Sequence, residues 1–407
     1  MTESIRDVVI IGAGAAGATL ALGLAQLGLD TVLIDARDPN AEKRRDWRNY
    51  AVVTGSWRLL KSVGATEALL ETSQPLHGLE ATDGGTHIFG AASVLFRDED
   101  LGQSDEPLGY MVMAEPLQEI LDQRLGEQDN LDWRQHAFFA GMESGPGSVK
   151  VTLGDGSVIE TRLLVGCDGM NSPVRNALGI GTEGRDYQKS VFTANVKLDR
   201  PHDGIARQLF TPEGPFATLP LLGDRANLAW YMKRGAAEAL VALGKEAAEA
   251  EVNARFADFA GHMELEEEAG SYPLILQLAE ALTGPRTALV GDAVRRVNPL
   301  AGQGLNQGLR DVGALIEVVE DALHVGLDIG APSVLELYSQ ARHFDGHGSA
   351  LMLDGIDRLF SNDSMLAKPI RTLGLMAADG IGPIRRMLAR KASATEDGIP
   401  RPMRGDG

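Results

Sequence analysis

Residues 5–35 constrain the fold more than any other part of this chain. Ile5 to Ile11 (IRDVVII) is a near-continuous β-branched run, the pattern of a strand buried on both faces in a parallel sheet. Gly12-Ala13-Gly14-Ala15-Ala16-Gly17 follows at once. Ala18 to Leu27 then reads as a small-residue helix ended by Gly28, and Thr31 to Asp35 as a second strand closing on an acid. This strand–GxGxxG–helix–strand–acid order is the arrangement of a dinucleotide site. Gly12 permits the tight turn, Gly14 lets the backbone approach a pyrophosphate, and Gly17 lets helix and strand pack closely. The helix N-terminus offers unpaired N–H groups to the phosphates. Asp35 sits where a carboxylate accepts both hydrogens of a ribose diol. The unit alone does not separate FAD from NAD.

Two later segments make that separation. Leu163 to Gly169 (LLVGCDG) is an apolar strand ending in Asp168 and Gly169, and Asn171-Ser172-Pro173-Val174-Arg175 opens a helix. Arg286 to Asp292 (RTALVGD) is a third such strand, whose acid faces the carboxyl edge of the sheet. Pro299-Leu300-Ala301-Gly302-Gln303-Gly304-Leu305-Asn306 comes next, followed by a helical pattern through about Ala322. Backbone N–H groups at that helix start can stabilise negative charge on a reduced flavin. One site assembled from three separated pieces implies a long, extended cofactor.

With these segments in place, the chain resembles the group A, single-component flavin monooxygenases of the para-hydroxybenzoate hydroxylase fold. Within them it looks most like the ubiquinone-biosynthesis hydroxylase family. Asp46-x-Arg48-x-x-Ala51-Val52 matches the family's D-x-R-x-x-A-[LV] element, whose arginine implies a contact to the FAD pyrophosphate. Tyr187 to Ser190, Gly214 to Leu221 and Leu353 to Met376 also fit, and Pro299 to Asp311 (PLAGQGLNQGLRD) is the most specific match to the quinone branch. The resemblance implies FAD contacts at Gly12, Gly14, Ala15, Ala16, Gly17, Asp35, Ala36, Arg48, Gln118, Asp168, Gly169, Gly291, Asp292, Pro299, Gly302, Gly304, Leu305 and Asn306. Two positions depart from the family pattern. Arg295 stands in the Val294-Arg295 pair where a histidine is usual, and Asn298 replaces a frequent histidine before the proline. Either the loop tolerates both changes, or Arg295 alters flavin electrostatics or substrate choice.

The implied fold is α/β: a Rossmann-like FAD-binding domain of the GR2 type, an inserted antiparallel-sheet substrate domain, and a C-terminal helical region. The expected division gives 1–75, 106–180 and 271–330 to a discontinuous FAD-binding domain, and 76–105 and 181–270 to the substrate domain. Residues 331–393 are expected as C-terminal helices. Residues 394–407 (ATEDGIPRPMRGDG) read by composition as a disordered tail. Strands are expected at Leu79–Ala81, Ser93–Arg97, Ser190–Lys197, Ala206–Phe210, Ala217–Leu221 and Arg225–Met232. Helices are expected at Trp57–Val63, Pro116–Leu125 and Lys245–Ala260, and a hairpin over Val149–Thr161 turning at Asp155-Gly156.

Composition narrows the partners. At 407 residues the chain has room for two or three domains. A net charge of −19 argues against general nucleic-acid binding. No run approaches the roughly 20 apolar residues of a membrane span, and Glu3 and the first strand leave no room for a secretory leader. The single cysteine, Cys167, suits a reducing cytoplasm and, at a strand end, a packing role. One region stands apart. Between Met365 and Lys391, Lys368, Arg371, Arg385, Arg386, Arg390 and Lys391 face only Asp379 and alternate with apolar residues. That pattern fits peripheral contact with an anionic membrane, or a packed helical pair with solvated charges.

No metal-ligand spacing and no G-x-S-x-G elbow is found. The hard chemistry therefore belongs to the flavin. The resemblance implies reduction by NAD(P)H, addition of O2 at flavin C4a to give a hydroperoxide, and oxygen transfer to an electron-rich ring. It implies a polyprenylated phenol as substrate, membership of a ubiquinone-biosynthesis complex, and possible homo-oligomers. Candidate residues beside the ring are Phe216, Leu219 and Pro220 from the substrate sheet, with Arg295, Asn298, Pro299 and Leu300; no general base is identified. Two alternatives stay open: a soluble hydroxylase of small aromatic acids or phenols, and a non-catalytic FAD-binding accessory protein.

Overall fold

The computed structural model describes residues 5–41, 46, 48–84, 93–102, 106–296, 303–342 and 382–405. Its first sheet is built on the buried run at the start of the chain. β1 (Arg6–Ile11) pairs in parallel with β2 (Thr31–Ile34) on one side and with β11 (Val158–Gly166) on the other. β8 (Leu131–Arg134) extends the parallel order beyond β2, and β19 (Thr287–Leu289) extends it beyond β11. β9 (Phe139–Ser144), β10 (Val149–Leu153) and the short β18 (Thr283–Gly284) add antiparallel pairings at that end. Val8, Val9 and Ile10 are fully buried because helices cover the sheet. α1 (Ala15–Gln26) and α8 (Gln303–His324) pack on one another there, and α4 (Ala114–Gly126) packs on α1.

The second sheet runs in the order β20 (Arg295–Arg296), β17 (Gly270–Ala279), β12 (Thr182–Leu198), β15 (Arg225–Lys233), β14 (Gly214–Leu221), β13 (Ile205–Thr211), β5 (Gly78–Asp83) and β6 (Ser93–Arg97). β16 (Met263–Leu265) pairs with the far end of β12. Alternation gives this sheet two faces. Phe192, Phe216, Trp230 and Met232 pack beneath α6 (Ala236–Ala242) and α7 (Lys245–Ala260). Val191, Ala217, Ala229, Tyr231 and Leu274 make the opposite face, joined by Tyr187 and Tyr272. A small third sheet, β3 (Asn49–Val53), β7 (Gly109–Met113) and β4 (Gln74–Leu76), lies between the two. Its Ala51, Leu76 and Met111 pack on Ala206 and Leu221 of the second sheet.

Two sequence expectations change. The substrate sheet does not stop at residue 270, because β17 pairs with β12 along most of its length and β20 pairs with β17 beyond it. Pro273 disguises this strand in the sequence, since proline lacks a ladder donor. It sits opposite Ser190, where the β12–β17 register shifts between Asp186 and Ser190, so the irregularity absorbs it.

The tail expected to be disordered is ordered through residue 405. Ala394, Ile399 and Met403 are buried in the core of the first domain, and Arg401 pairs with Glu317, Glu320 and Asp321 on α8. Composition missed it because its few apolar residues stand singly among glycines and prolines. Helices occupy residues 332–342 and Gly382–Ala392, while 343–381, including most of the family-like C-terminal stretch, lies outside the described residues.

Met403 fills core space and Arg401 makes half-exposed pairs, so their contributions separate. Met403→Ala is expected to lower unfolding free energy by about 2–5 kcal/mol. Arg401→Ala is expected to lower it by about 1 kcal/mol or less. Denaturant melts of both variants check this; equal effects would show that the tail is held by charge.

Candidate active site

Parallel pairing of β1 with β11 sets the first two fingerprint loops side by side at the carboxyl edge of the sheet. The approach is close enough to require glycine. Gly12 has φ +101°, and a Cβ there would lie 2.4 Å from the Cys167 carbonyl oxygen. A Cβ on Gly17 would lie 1.9 Å from the Gly12 carbonyl oxygen. Gly14 caps α1 without a side-chain bond, no acidic residue occupies the first turn, and no atom lies within 4 Å of a Cβ built there. The positive end of α1 therefore opens onto free space suited to a phosphate.

That space is an elongated cavity of about 1140 Å³. It is slightly larger than the about 300–1,000 Å³ usual for ligand sites. The loop of residues 12–17 lines its middle, together with Gln118, Arg48 and Asp46. Asp35, Ala36, Arg37 and Phe138 line one end; Asp168, Gly169, Gly291, Asp292, Gly304, Leu305 and Tyr272 line the rest. Three fingerprints more than a hundred residues apart in sequence thus border one continuous space.

Asp35 is buried and accepts bonds from the Arg37 side chain and backbone N–H. Arg37 also reaches Asp122 and the Ala13 carbonyl, which Gln118 Nε2 bonds at 2.9 Å. Arg48 is held by Asp46 through Nε and Nη2, at 2.9 and 2.6 Å, and lies 5.7 Å from the centre of the Tyr50 ring. In the second fingerprint, Asp168 Oδ2 accepts the Val174 N–H at 2.9 Å. Its other oxygen, Oδ1, is buried with no hydrogen-bond partner. Burial pushes the pKa of Asp168 up, only partly offset by the Ser172 hydroxyl, the Val174 amide and Arg175. Asp292 is raised by burial as well, against the pull of Arg48 and Arg296. An orphaned carboxylate oxygen at the cavity wall is an acceptor for a ligand hydroxyl. With the open helix end, it makes these residues fit FAD, whose ribityl chain and pyrophosphate supply hydroxyls and anionic oxygens. Asn306 points elsewhere: its side chain bonds the Val53 amide and the Ala51 carbonyl, and so fastens α8 to β3.

The substrate-side candidates are corrected by the structure. Phe216 does not face the cavity; its ring stacks on Phe256 of α7 at 3.8 Å, and Pro220 alternates onto the same side of β14. Leu219 lies on the other side, packed with Ala51, Leu76 and Met111 rather than in the cavity. Tyr272, Pro273 and Ile275 of β17 supply that wall instead. Arg295 is also turned away. Its side chain is 4% exposed and donates to Asp311 at 2.6 Å, whereas Arg296 beside it lines the cavity and donates to the Pro273 carbonyl at 3.2 Å. Asn298, Pro299, Leu300 and Gly302 lie outside the described residues. Cys167 packs beneath the loop, partly buried at the cavity wall, and burial pushes its thiol well up.

Sequence reasoning missed Arg37, Asp122, Arg175, Tyr272 and Arg296. Arg37 carried a signal, being two residues beyond the ribose acid. Arg175 lay inside the second fingerprint, where it bonds the Ala293 and Met170 carbonyls at 2.9 Å each and ties the second fingerprint to the third. The others depend on which way a strand or helix faces.

Fold and cavity define an FAD-binding α/β oxidoreductase. A family model described as FAD binding domain matches residues 6–346. Ubiquinone hydroxylase UbiL of Rhodospirillum rubrum is 36% identical over 404 residues, covering 99% of this chain and 92% of that protein. The 3-demethoxyubiquinol 3-hydroxylase of Escherichia coli is 33% identical, covering 96% and 99%. Among solved structures, p-nitrophenol 4-monooxygenase PnpA from Pseudomonas putida superposes with a TM-score of 0.78 at 17% identity, over 96% of this chain and 98% of that one. The chain belongs to the flavin-dependent aromatic monooxygenases, within them to the ubiquinone-biosynthesis hydroxylase family, and it is an FAD enzyme.

Asp292 gives a test in which stability and function diverge. Its folded pKa is raised above the unfolded value, so ionising it costs stability as pH rises through that range. At pH 7, Asp292→Asn is expected to leave the apoprotein melting temperature unchanged or higher. FAD affinity should fall about 10- to 100-fold, the worth of a hydrogen bond to a charged group. Thermal melts of apoprotein and flavin-fluorescence titrations measure the two effects separately.

Proposed function

We propose that this enzyme hydroxylates the aromatic ring of a polyprenylated phenol in ubiquinone biosynthesis. The observation that carries the reading is near full-length similarity, at 36% and 33% identity, to two proteins named as hydroxylases of ubiquinone or demethoxyubiquinol. Bound FAD, reduced by the family's usual donor NAD(P)H, supplies the oxygen-transfer chemistry. The protein's part is to bind, orient and shield.

Asp168, Asp292 and the α1 N-terminus would hold the extended cofactor along the sheet edge. The face made by Val191, Ala217, Ala229, Tyr231 and Leu274 presents apolar surface on the same side of the sheet as Tyr272. Such a wall suits an aromatic ring and keeps water from the reacting centre. Burial pushes the Tyr272 hydroxyl up to about 12, so at neutral pH it stays protonated and donates a hydrogen bond rather than accepting a proton.

One observation favours the second reading, a small aromatic acid as substrate: Arg296 lines the cavity and offers a cation to a carboxylate. Turnover of prenylated phenols against hydroxybenzoates, with oxygenated product measured by mass spectrometry, separates the two. The leading reading expects product from the prenylated set, and Arg296→Ala to keep kcat/KM for it within about threefold, since the lost contact is not to the ring. A loss confined to acidic substrates would reverse the assignment.

Delivery of a lipid-tailed substrate would be helped by peripheral membrane contact. Much of the basic stretch 365–391 lies outside the described residues. In the helix Gly382–Ala392, Arg385 is engaged by Asp100 at 2.8 Å and Leu388 packs with Val94, Ala81 and Phe96. Arg386, Met387, Arg390 and Lys391 stay exposed and form the surface proposed to meet anionic lipid. Among the described residues, no helix is long and apolar enough to cross a membrane. Flotation with vesicles containing phosphatidylglycerol should carry the protein upward. The triple variant Arg386→Glu, Arg390→Glu, Lys391→Glu should stay at the bottom, and equal flotation of both would dismiss this surface.

A further inference from the structure

Behind the third fingerprint lies a group of charges that the cavity does not use. Arg295 Nη1 and Arg342 Nε both donate to Asp311 Oδ1, at 2.6 and 2.7 Å. The three side chains are 4%, 1% and 0% exposed. Asp311 Oδ2 accepts the backbone N–H of Gly291 at 3.1 Å. The surroundings complete the arrangement: Gln307 accepts from Arg342 Nη2 at 3.0 Å, and Tyr338 donates its hydroxyl to the Leu289 carbonyl at 2.7 Å. Burial pushes the Asp311 carboxyl up, but the two arginines outweigh this and hold it below the usual range, so it is an ionised acceptor.

Removing three charges from water is not a cheap route to stability, and apolar replacements often serve a fold as well or better. What the charges do here is geometric. Asp311 stands on α8, Arg342 on the helix 332–342, and Arg295 on β20, which belongs to the substrate sheet. Their common point is the Asp311 carboxylate, whose second oxygen holds the backbone amide at the start of the Gly291-Asp292 turn. We propose that the Arg295–Asp311–Arg342 triad is a positioning device that sets this turn before FAD arrives, so that Asp292 meets the cofactor already in place. With arginine at both positions, the device is a permanent cation pair on one carboxylate. This inference rests on the FAD site and is independent of the substrate.

Hydrogen exchange of the peptide 287–296 tests it in the wild-type protein, apo and FAD-loaded. A preset turn exchanges slowly in both, with rates within about twofold of each other; a rate about tenfold or more faster in the apoprotein overturns the proposal. Arg295→Met leaves Asp311 with Arg342, a neutral pair, and is expected to speed apo exchange of that peptide and raise the FAD dissociation constant, each about fivefold or more. Arg342→Met leaves the equivalent pair with Arg295 and gives the same readings if the first variant does not fold. A folded variant with a lower apo melting temperature but unchanged FAD affinity and exchange would assign the triad to the fold alone and overturn the proposal. Should neither variant fold, the wild-type exchange comparison decides.

Discussion

The contact on which the site depends is backbone against backbone. β1 and β11 lie side by side in parallel, and their following turns meet where Gly12 passes the carbonyl of Cys167. No side chain fits between them. That approach puts the open end of α1 and the carboxylate of Asp168 on one rim, and β19, the next parallel neighbour, adds Asp292. The cavity is therefore a product of strand order. Residues 12, 168 and 292 become neighbours because the three strands that carry them are adjacent in the sheet.

The protein holds its cofactor-facing carboxylates at some cost. Asp168 and Asp292 are both raised by burial, and one oxygen of Asp168 has no hydrogen-bond partner. The surrounding fold over-determines their positions: Arg175 bonds the carbonyl of Ala293 across the two fingerprints, and Asn306 fixes α8 to β3. A rigid frame around unsatisfied acceptors is the signature of a site prepared for a ligand rich in donors.

Much of this was legible because the signals are local. A buried strand, a glycine turn and a helix of small residues each declare themselves within about ten residues, and so did the hairpin at Asp155-Gly156. The family resemblance gave the fold class. What was not legible depends on facing. Alternation along β14 divides its residues between two faces but does not tell which meets the cavity, so Phe216 was placed on the wrong one. β20 is two residues long, too short for any period to show that Arg295 turns inward while Arg296 turns to the cavity. Pro273 hid β17, and the tail concealed Ile399 and Met403, which are buried by packing in a core that includes α8, far earlier in the chain.

That last attachment bears on how the protein is made. Met403 belongs to the same core cluster as Val8, and β1, β11 and β19 come from the beginning, middle and last third of the chain. The first domain can close only when the chain has been made through Met403. Until β19 and α8 follow, β11 lacks its outer parallel neighbour and the sheet faces those later elements cover stay exposed. Folding through such distant pairings is slow and leaves strand edges open to aggregation. Of the two domains, the substrate sheet is the more local, with β12 to β17 drawn from under a hundred consecutive residues. The inserted domain is therefore expected to form first on the nascent chain, leaving the cofactor domain to finish last.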